Sequence, residues 1–133
     1  MIGGRIRVAL VDDQQLFRGV TTDLDGALSN ASVYALPSRE EGFPIALMEA
    51  MAYGLPSVAF DCAPGIRELL EDEVSGLLVN PGNVPGFVTA LERLIEDAGL
   101  RRKLGGQAKE AVAKFSPEAV VGRWEDLFEL LHR

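Results

Sequence analysis

Two glutamates, Glu41 and Glu49, stand on either side of Gly42–Phe43–Pro44 with seven residues between them. The run around them, LPSREEGFPIALMEAMAYGLPSVAFD from Leu36 to Asp61, reads as strand end, loop, helix, turn and strand. Glu49 is flanked by Ile45, Ala46, Leu47, Met48, Ala50, Met51 and Ala52. A helix apolar on every side is a buried helix, and a carboxylate on it is costly to desolvate without a partner. Pro44 in a first helical turn and Gly54 and Pro56 beyond its end bracket that helix over 44–53. Its free N–H groups and dipole make an anion site suited to a phosphate or diphosphate. Gly42 lets a ligand approach the backbone, and Glu49 lies roughly 7–8 Å along the axis from the first turn. Carboxylates at both ends of a diphosphate-binding turn suit a nucleotide sugar, one bonding sugar hydroxyls and the other ribose hydroxyls. The plainer alternative makes Glu49 a helix glutamate bonded to nearby backbone.

A second acidic group, Asp12–Asp13, closes the apolar run RIRVALVDD (Arg5–Asp13). Asp61 ends a later strand. If those strands lie close together, the three carboxylates could attract Mg²⁺ or Ca²⁺. The alternative is that they are solvated strand-end groups. Lone His132 and lone Cys62 make neither a structural zinc site nor an internal disulfide, and the single thiol fits a reducing compartment.

These residues need a scaffold that brings strand ends to one edge. Strands are expected at Arg5–Asp13, Ser32–Leu36, Ser57–Asp61 and Gly76–Asn80, and 14–20 reads equally as helix or strand. Thr22 is a plausible N-cap for a helix through Asn30, and Gly65–Glu71 forms a short one. Phe87, Leu91, Leu94, Ile95 and Ala98 mark one amphipathic helix, and Leu104, Ala108, Ala111, Val112 and Phe115 a second, weakened near its start by Gly105 and Gly106. Ser116 and Pro117 open a last helix carrying Val120, Trp124, Phe128 and Leu131. Trp124, Met48 and Met51 are assigned to the core. The expected fold is α/β, a three-layer Rossmann-like parallel sheet of about four strands with helices, its ligands beyond the carboxyl ends of the strands.

A net charge of −7 and a pI near 4.7 argue against nucleic acid or an anionic membrane as the main partner. The apolar stretch from Pro44 to Phe60 is interrupted by Glu49, Gly54 and Pro56, so it does not span a bilayer. The first residues lack the apolar core of a signal peptide, and a cytoplasmic location is expected.

The segment resembles the E-x7-E signature of retaining GT-B glycosyltransferases of family 4, which carry a PS-x-x-E-G-F loop and an EAMA-x-G-x-P helix and turn. Pro37–Ser38, Glu41–Gly42–Phe43, Glu49–Ala50–Met51–Ala52, Gly54 and Pro56 follow that order, and the similarity continues through Pro64–Gly65–Ile66–Arg67–Glu68 and GLLV. It covers about residues 20–133. The resemblance implies that Glu49 holds the donor ribose, that Glu41 faces the transferred sugar, and that Gly42 and Phe43 offer backbone N–H groups to the diphosphate and sugar. It also implies a partner domain for the acceptor, and an Arg and a Lys that neutralise the donor diphosphate, which this sequence does not match. Arg39 and Arg67 are the basic residues near the site, so no useful transfer by the chain alone is expected.

Ile6–Phe17 (IRVALVDDQQLF) is similar instead to the opening strand of a response-regulator receiver domain, in which an acidic pair matching Asp12–Asp13 helps bind Mg²⁺. A single domain over 1–133 is therefore read as receiver-like over 1–19 and glycosyltransferase-like over 20–133, a truncated and chimeric nucleotide-sugar-binding half-domain. The alternatives are a natural fragment, an engineered α/β fold without a ligand, and a receiver-type Mg²⁺-binding signalling module. Right-handed crossovers put the helices after the second and third strands on one face. The other face must then be filled by residues 14–30 and the C-terminal helices or by another subunit; left uncovered it would expose RVALV, VYAL and SVAF, and a homodimer is expected, with exchange of elements as one form of it.

Overall fold

The computed structural model describes residues 5–10 and 24–133. Four short strands, β1 (Val8–Leu10), β2 (Val33–Leu36), β3 (Ser57–Phe60) and β4 (Leu77–Val79), form one parallel sheet in the order β1-β2-β3-β4. The register pairs Val8 with Val33, Tyr34 with Ser57 and Val58 with Leu77. Helices α1 (Leu24–Ser29), α2 (Ile45–Ala52) and α3 (Pro64–Leu69) link successive strands. After β4 come α4 (Val84–Glu96), α5 (Ala98–Ala111), a 3-10 turn at Ala113–Phe115 and α6 (Pro117–Leu131).

Side chains alternate across the sheet with the two-residue period of a strand. Tyr34, Leu36 and Ala59 pack with Leu28 of α1, Leu47, Ala50 and Met51 of α2, and Ile66 and Leu69 of α3. Val33, Ala35, Val58, Phe60, Leu77 and Val79 face the other way, onto Phe87, Ala90 and Leu94 of α4. The three linking helices thus share one face, as right-handed crossovers demand.

The second face is filled by α4, one of the C-terminal helices expected to cover it. Every residue of β2 and β3 is buried within the one chain. The handedness rule governs only helices that lead to another parallel strand; α4 leads to none and is free to return beneath the sheet. The reason for exchanging elements between protomers therefore falls away for VYAL and SVAF, and among the described residues Val8 on edge strand β1 is exposed.

Helix α5 touches both layers, giving Leu104 to one and Ala108 and Val112 to the other. It crosses at the amino ends of the strands, where it meets the Gly54 turn that precedes β3. A β-carbon at Gly105 would lie 2.2 Å from the Gly54 carbonyl oxygen. Gly54 itself has φ +71°, a left-handed conformation that a side chain would strain. The glycine that lowers helix propensity is thus what lets α5 close the bottom of the sheet.

Two other expectations change. Helix α2 is not buried all round: Leu47, Ala50 and Met51 are inside, but Ile45 and Ala52 are exposed, because no further layer covers this helix. Trp124 is not core; it is 55% exposed and leans on Phe128 with ring centroids 5.9 Å apart. Thr22, Asp12, Asp13 and residues 14–20 lie outside the described residues.

Candidate functional site at the carboxyl edge of the sheet

With α5 beneath the amino ends of the strands, their carboxyl ends are left to loops, and the amino ends of α2 and α3 gather there. The later helices are each capped by a side chain: Asn83 accepts from the Gly86 N–H at 3.0 Å, Asp97 from Leu100 at 2.9 Å, and Ser116 from Ala119 at 3.2 Å. Helices α2 and α3 begin at Pro44 and Ala63 with no side-chain cap. Their amino-terminal N–H groups are left to the edge where ligands of parallel α/β sheets sit.

Gly65 brings these two helix starts together. A β-carbon there would stand 2.8 Å from the Gly42 carbonyl oxygen and 3.2 Å from Pro44 Cδ, so only glycine lets the 42–44 loop lie on α3. Phe43 is held from the other side by Phe115, edge-on at 5.7 Å between centroids. Gly42, carrying no side chain, stays exposed.

Glu41 and Glu49 are both half-buried, and neither side chain makes an ion pair or hydrogen bond with a described residue. Among the described residues no backbone group donates to the Glu49 carboxylate. Tyr34 feels the charge of both acids. Its fully buried hydroxyl has no hydrogen-bond partner among the described residues. Burial, and after it the charges of Glu41 and Glu49, push its ionisation well above the ordinary tyrosine range. Ser38 Oγ, also buried, is unpartnered as well. Residues 34, 36 and 38 share strand parity, so the alternation in the sequence could have pointed to both hydroxyls; the motif alone did not.

Asp61 follows β3 as expected but is engaged by Arg67 of α3. Arg67 Nε donates to Asp61 Oδ2 at 2.7 Å, and Nη2 donates to the same oxygen. Those hydrogen bonds hold the Asp61 carboxyl below the usual range and raise Arg67. The pair lines a cleft of about 550 Å³ with Leu70, Leu78, Val79 and Asn80. β1 and β3 are not neighbours, because β2 lies between them. That separates Asp61 from the strand that leads to Asp12 and Asp13 by about 10 Å, twice the strand spacing. Among the described residues no group of three His, Cys, Asp or Glu side chains is placed to hold a metal ion, and no helix is long and apolar enough to cross a membrane.

Comparison with known proteins agrees with this architecture. A Haemophilus influenzae protein described as an uncharacterized glycosyltransferase is 32% identical over 117 residues, covering 88% of this chain and 33% of its own length. The exopolysaccharide phosphotransferase SCO2592 of Streptomyces coelicolor is 40% identical over 107 residues, covering 79% of this chain and 11% of its own. Among solved structures, a Staphylococcus aureus TarM mutant in complex with fondaparinux, alpha-GlcNAc-glycerol and UDP superposes with a TM-score of 0.73 at 28% identity, over 81% of this chain and 22% of that one. Anabaena HepE in complex with UDP gives 0.71 at 26%, over 84% and 30%. The chain thus spans a third or less of the length of these relatives. Residues 5–111 match the family described as "Glycosyl transferases group 1", a match that includes the Ile6–Phe17 segment apart from which the sequence resemblance began. This chain belongs to the group 1 glycosyl transferases.

Proposed function

We propose that this chain is the nucleotide-sugar-binding portion of a glycosyltransferase and does not transfer sugar by itself. The observation that carries the reading is the pair of half-buried carboxylates, Glu41 and Glu49, unpaired among the described residues and beside a helix start with no side-chain cap. The donor diphosphate lies against the amino end of α2, with the N–H groups of Gly42 and Phe43 toward it. Glu49 accepts hydrogen bonds from the ribose hydroxyls and Glu41 from the sugar. UDP, present in the similar TarM and HepE structures, makes UDP-sugars the first donors to test. Because the family match starts at residue 5, a receiver-type Mg²⁺ module and a ligand-free chimera are not favoured. Arg67 is committed to Asp61 and Arg39 is exposed, so the leaving diphosphate meets little positive charge.

Titration calorimetry with UDP, UDP-sugars and GDP-sugars tests this reading. Binding is expected for at least one nucleotide, weakened about tenfold in Glu49→Gln by loss of a charge-assisted hydrogen bond. No turnover is expected in a sugar-release assay. Absence of binding by every nucleotide refutes the site, and robust turnover refutes the inactivity.

A further inference from the structure

Among the described residues, two buried side-chain polar atoms lack a hydrogen-bond partner, the Tyr34 hydroxyl and Ser38 Oγ. The other buried serines are satisfied. Ser57 Oγ donates to the Leu55 carbonyl, and Ser75 Oγ accepts from the Glu71 N–H. Tyr34 is 0% and Ser38 2% exposed, so bulk water reaches neither. A buried hydroxyl without a partner costs stability, and native proteins rarely keep one. Here the two stand four residues apart, one on β2 and one just past its carboxyl end. Tyr34 packs under α2 with Leu47, Ala50 and Met51. The orphaned hydroxyls are thus confined to the candidate site.

The two acids of that site differ in how they face these hydroxyls. At about 100° per residue, Glu49 lies across α2 from Leu47 and Met51, which pack toward the sheet. It therefore leaves the helix on the side away from Tyr34. Glu41 sits in the loop that continues from Ser38, three residues further on, and its half-buried carboxylate has no partner among the described residues. The Tyr34 hydroxyl also feels the charge of Glu41 ahead of that of Glu49. We propose that Tyr34 and Ser38 are positioning residues for Glu41: with a donor sugar in place, both hydroxyls donate to the Glu41 carboxylate and aim its remaining lone pairs at the sugar. The inference rests on the nucleotide-sugar reading of the site and adds to it the groups that hold the sugar-facing acid.

The hydrogen-bond inventory fits this role. An ionised carboxylate only accepts, at about four positions. In the free protein Glu41 is partly open to water, which fills those positions. A bound sugar displaces that water, and a carboxylate so covered is costly unless donors replace it. Two hydroxyls that are already dehydrated and bonded to nothing else lose no interaction by turning to it. Hydrogen bonds to a charged acceptor are the stronger kind. The stability that these hydroxyls forfeit in the free protein is therefore regained with the sugar bound, and not with the nucleotide alone.

Titration calorimetry of the wild type, Tyr34→Phe and Ser38→Ala tests the proposal, with UDP and with UDP-glucose, UDP-galactose and UDP-N-acetylglucosamine as probes. UDP lacks the sugar and should bind all three proteins alike. The UDP-sugar that the wild type binds best should bind each variant about tenfold more weakly, the loss of one charge-assisted hydrogen bond. In a Glu41→Ala background Tyr34→Phe should leave that affinity unchanged, because the carboxylate through which the hydroxyl acts is gone. Should Ser38→Ala loosen its loop, Tyr34→Phe, which only deletes an oxygen, carries the test. An equal loss toward UDP and UDP-sugars marks a structural role and overturns the proposal, as does unaltered sugar affinity or a wild type that binds UDP and no UDP-sugar. Each of these leaves the nucleotide site standing. A wild type that binds no nucleotide overturns the donor site itself, and this proposal with it.

Discussion

Replacing Tyr34 by phenylalanine removes one oxygen from the packing between α2 and the sheet. The hydroxyl it deletes is fully buried and has no hydrogen-bond partner among the described residues. An unsatisfied buried hydroxyl costs about 1–3 kcal/mol. The void left by a single oxygen, on the order of 15 Å³, returns only about 0.3–0.4 kcal/mol of that at 24 cal/mol per Å³. The variant should therefore be more stable by about 1–2 kcal/mol, a rise in Tm of about 3–8 °C for a chain of this size. A second signature follows from the raised ionisation of Tyr34. Its neutral form is favoured in the folded state, so its contribution is complete below the free-tyrosine value of about 10 and is lost as the pH climbs from there toward the folded-state value. Tyr34→Phe lacks that contribution, so its stability should fall less steeply above pH about 10 than that of the wild type. Urea denaturation of both proteins between neutral and alkaline pH measures both effects. A phenylalanine variant destabilised by about 1 kcal/mol or more would show that the hydroxyl is satisfied, and the reasoning would fail.

Adjacent glycines of α5 should respond oppositely to alanine. Gly105→Ala drives a β-carbon to within 2.2 Å of the Gly54 carbonyl and should cost about 1–3 kcal/mol, whereas Gly106→Ala meets nothing within 4 Å and should add about 0.5–1 kcal/mol by helix propensity; chemical denaturation reads both. Arg67→Gln should raise the Asp61 carboxyl pKa toward its ordinary value, as followed by carboxyl-detected NMR titration. Because that pKa is depressed in the fold, the contribution of Asp61 is present above the unfolded value and lost as pH falls through the folded one, so the variant's acid limb should be flatter.

The carboxyl edge of the sheet was legible because its chemistry is local. Pro44 and Gly54–Pro56 limit α2 from within the sequence, and the unbroken apolar run from Val33 to Leu36 is that of a parallel strand covered on both faces. Glu41 and Gly42 therefore lie in the loop before α2, and Glu49 on it. What joins them was not legible. The contact between Gly65 and the Gly42 carbonyl, and the pairing of Arg67 with Asp61, depend on how close α3 comes to α2, and residue types alone do not specify that distance.

The misreadings share one physical cause. Periodicity reports that a face must be covered, but not by what. The crossover rule placed α2 and α3 on one face and left the other to residues 14–30 and the C-terminal helices or to a second subunit; the packing of Phe87, Ala90 and Leu94 decides it for α4. In α5 the low propensity of Gly105 concealed a steric requirement, visible only once the Gly54 turn lies against it. Trp124 shows the converse. Its stripe has the same helical spacing as Phe87 and Leu94 of α4, which are buried, yet it is exposed because the sheet has no face left to give it. An apolar stripe at helical spacing therefore reports that cover is needed and is silent on what supplies it.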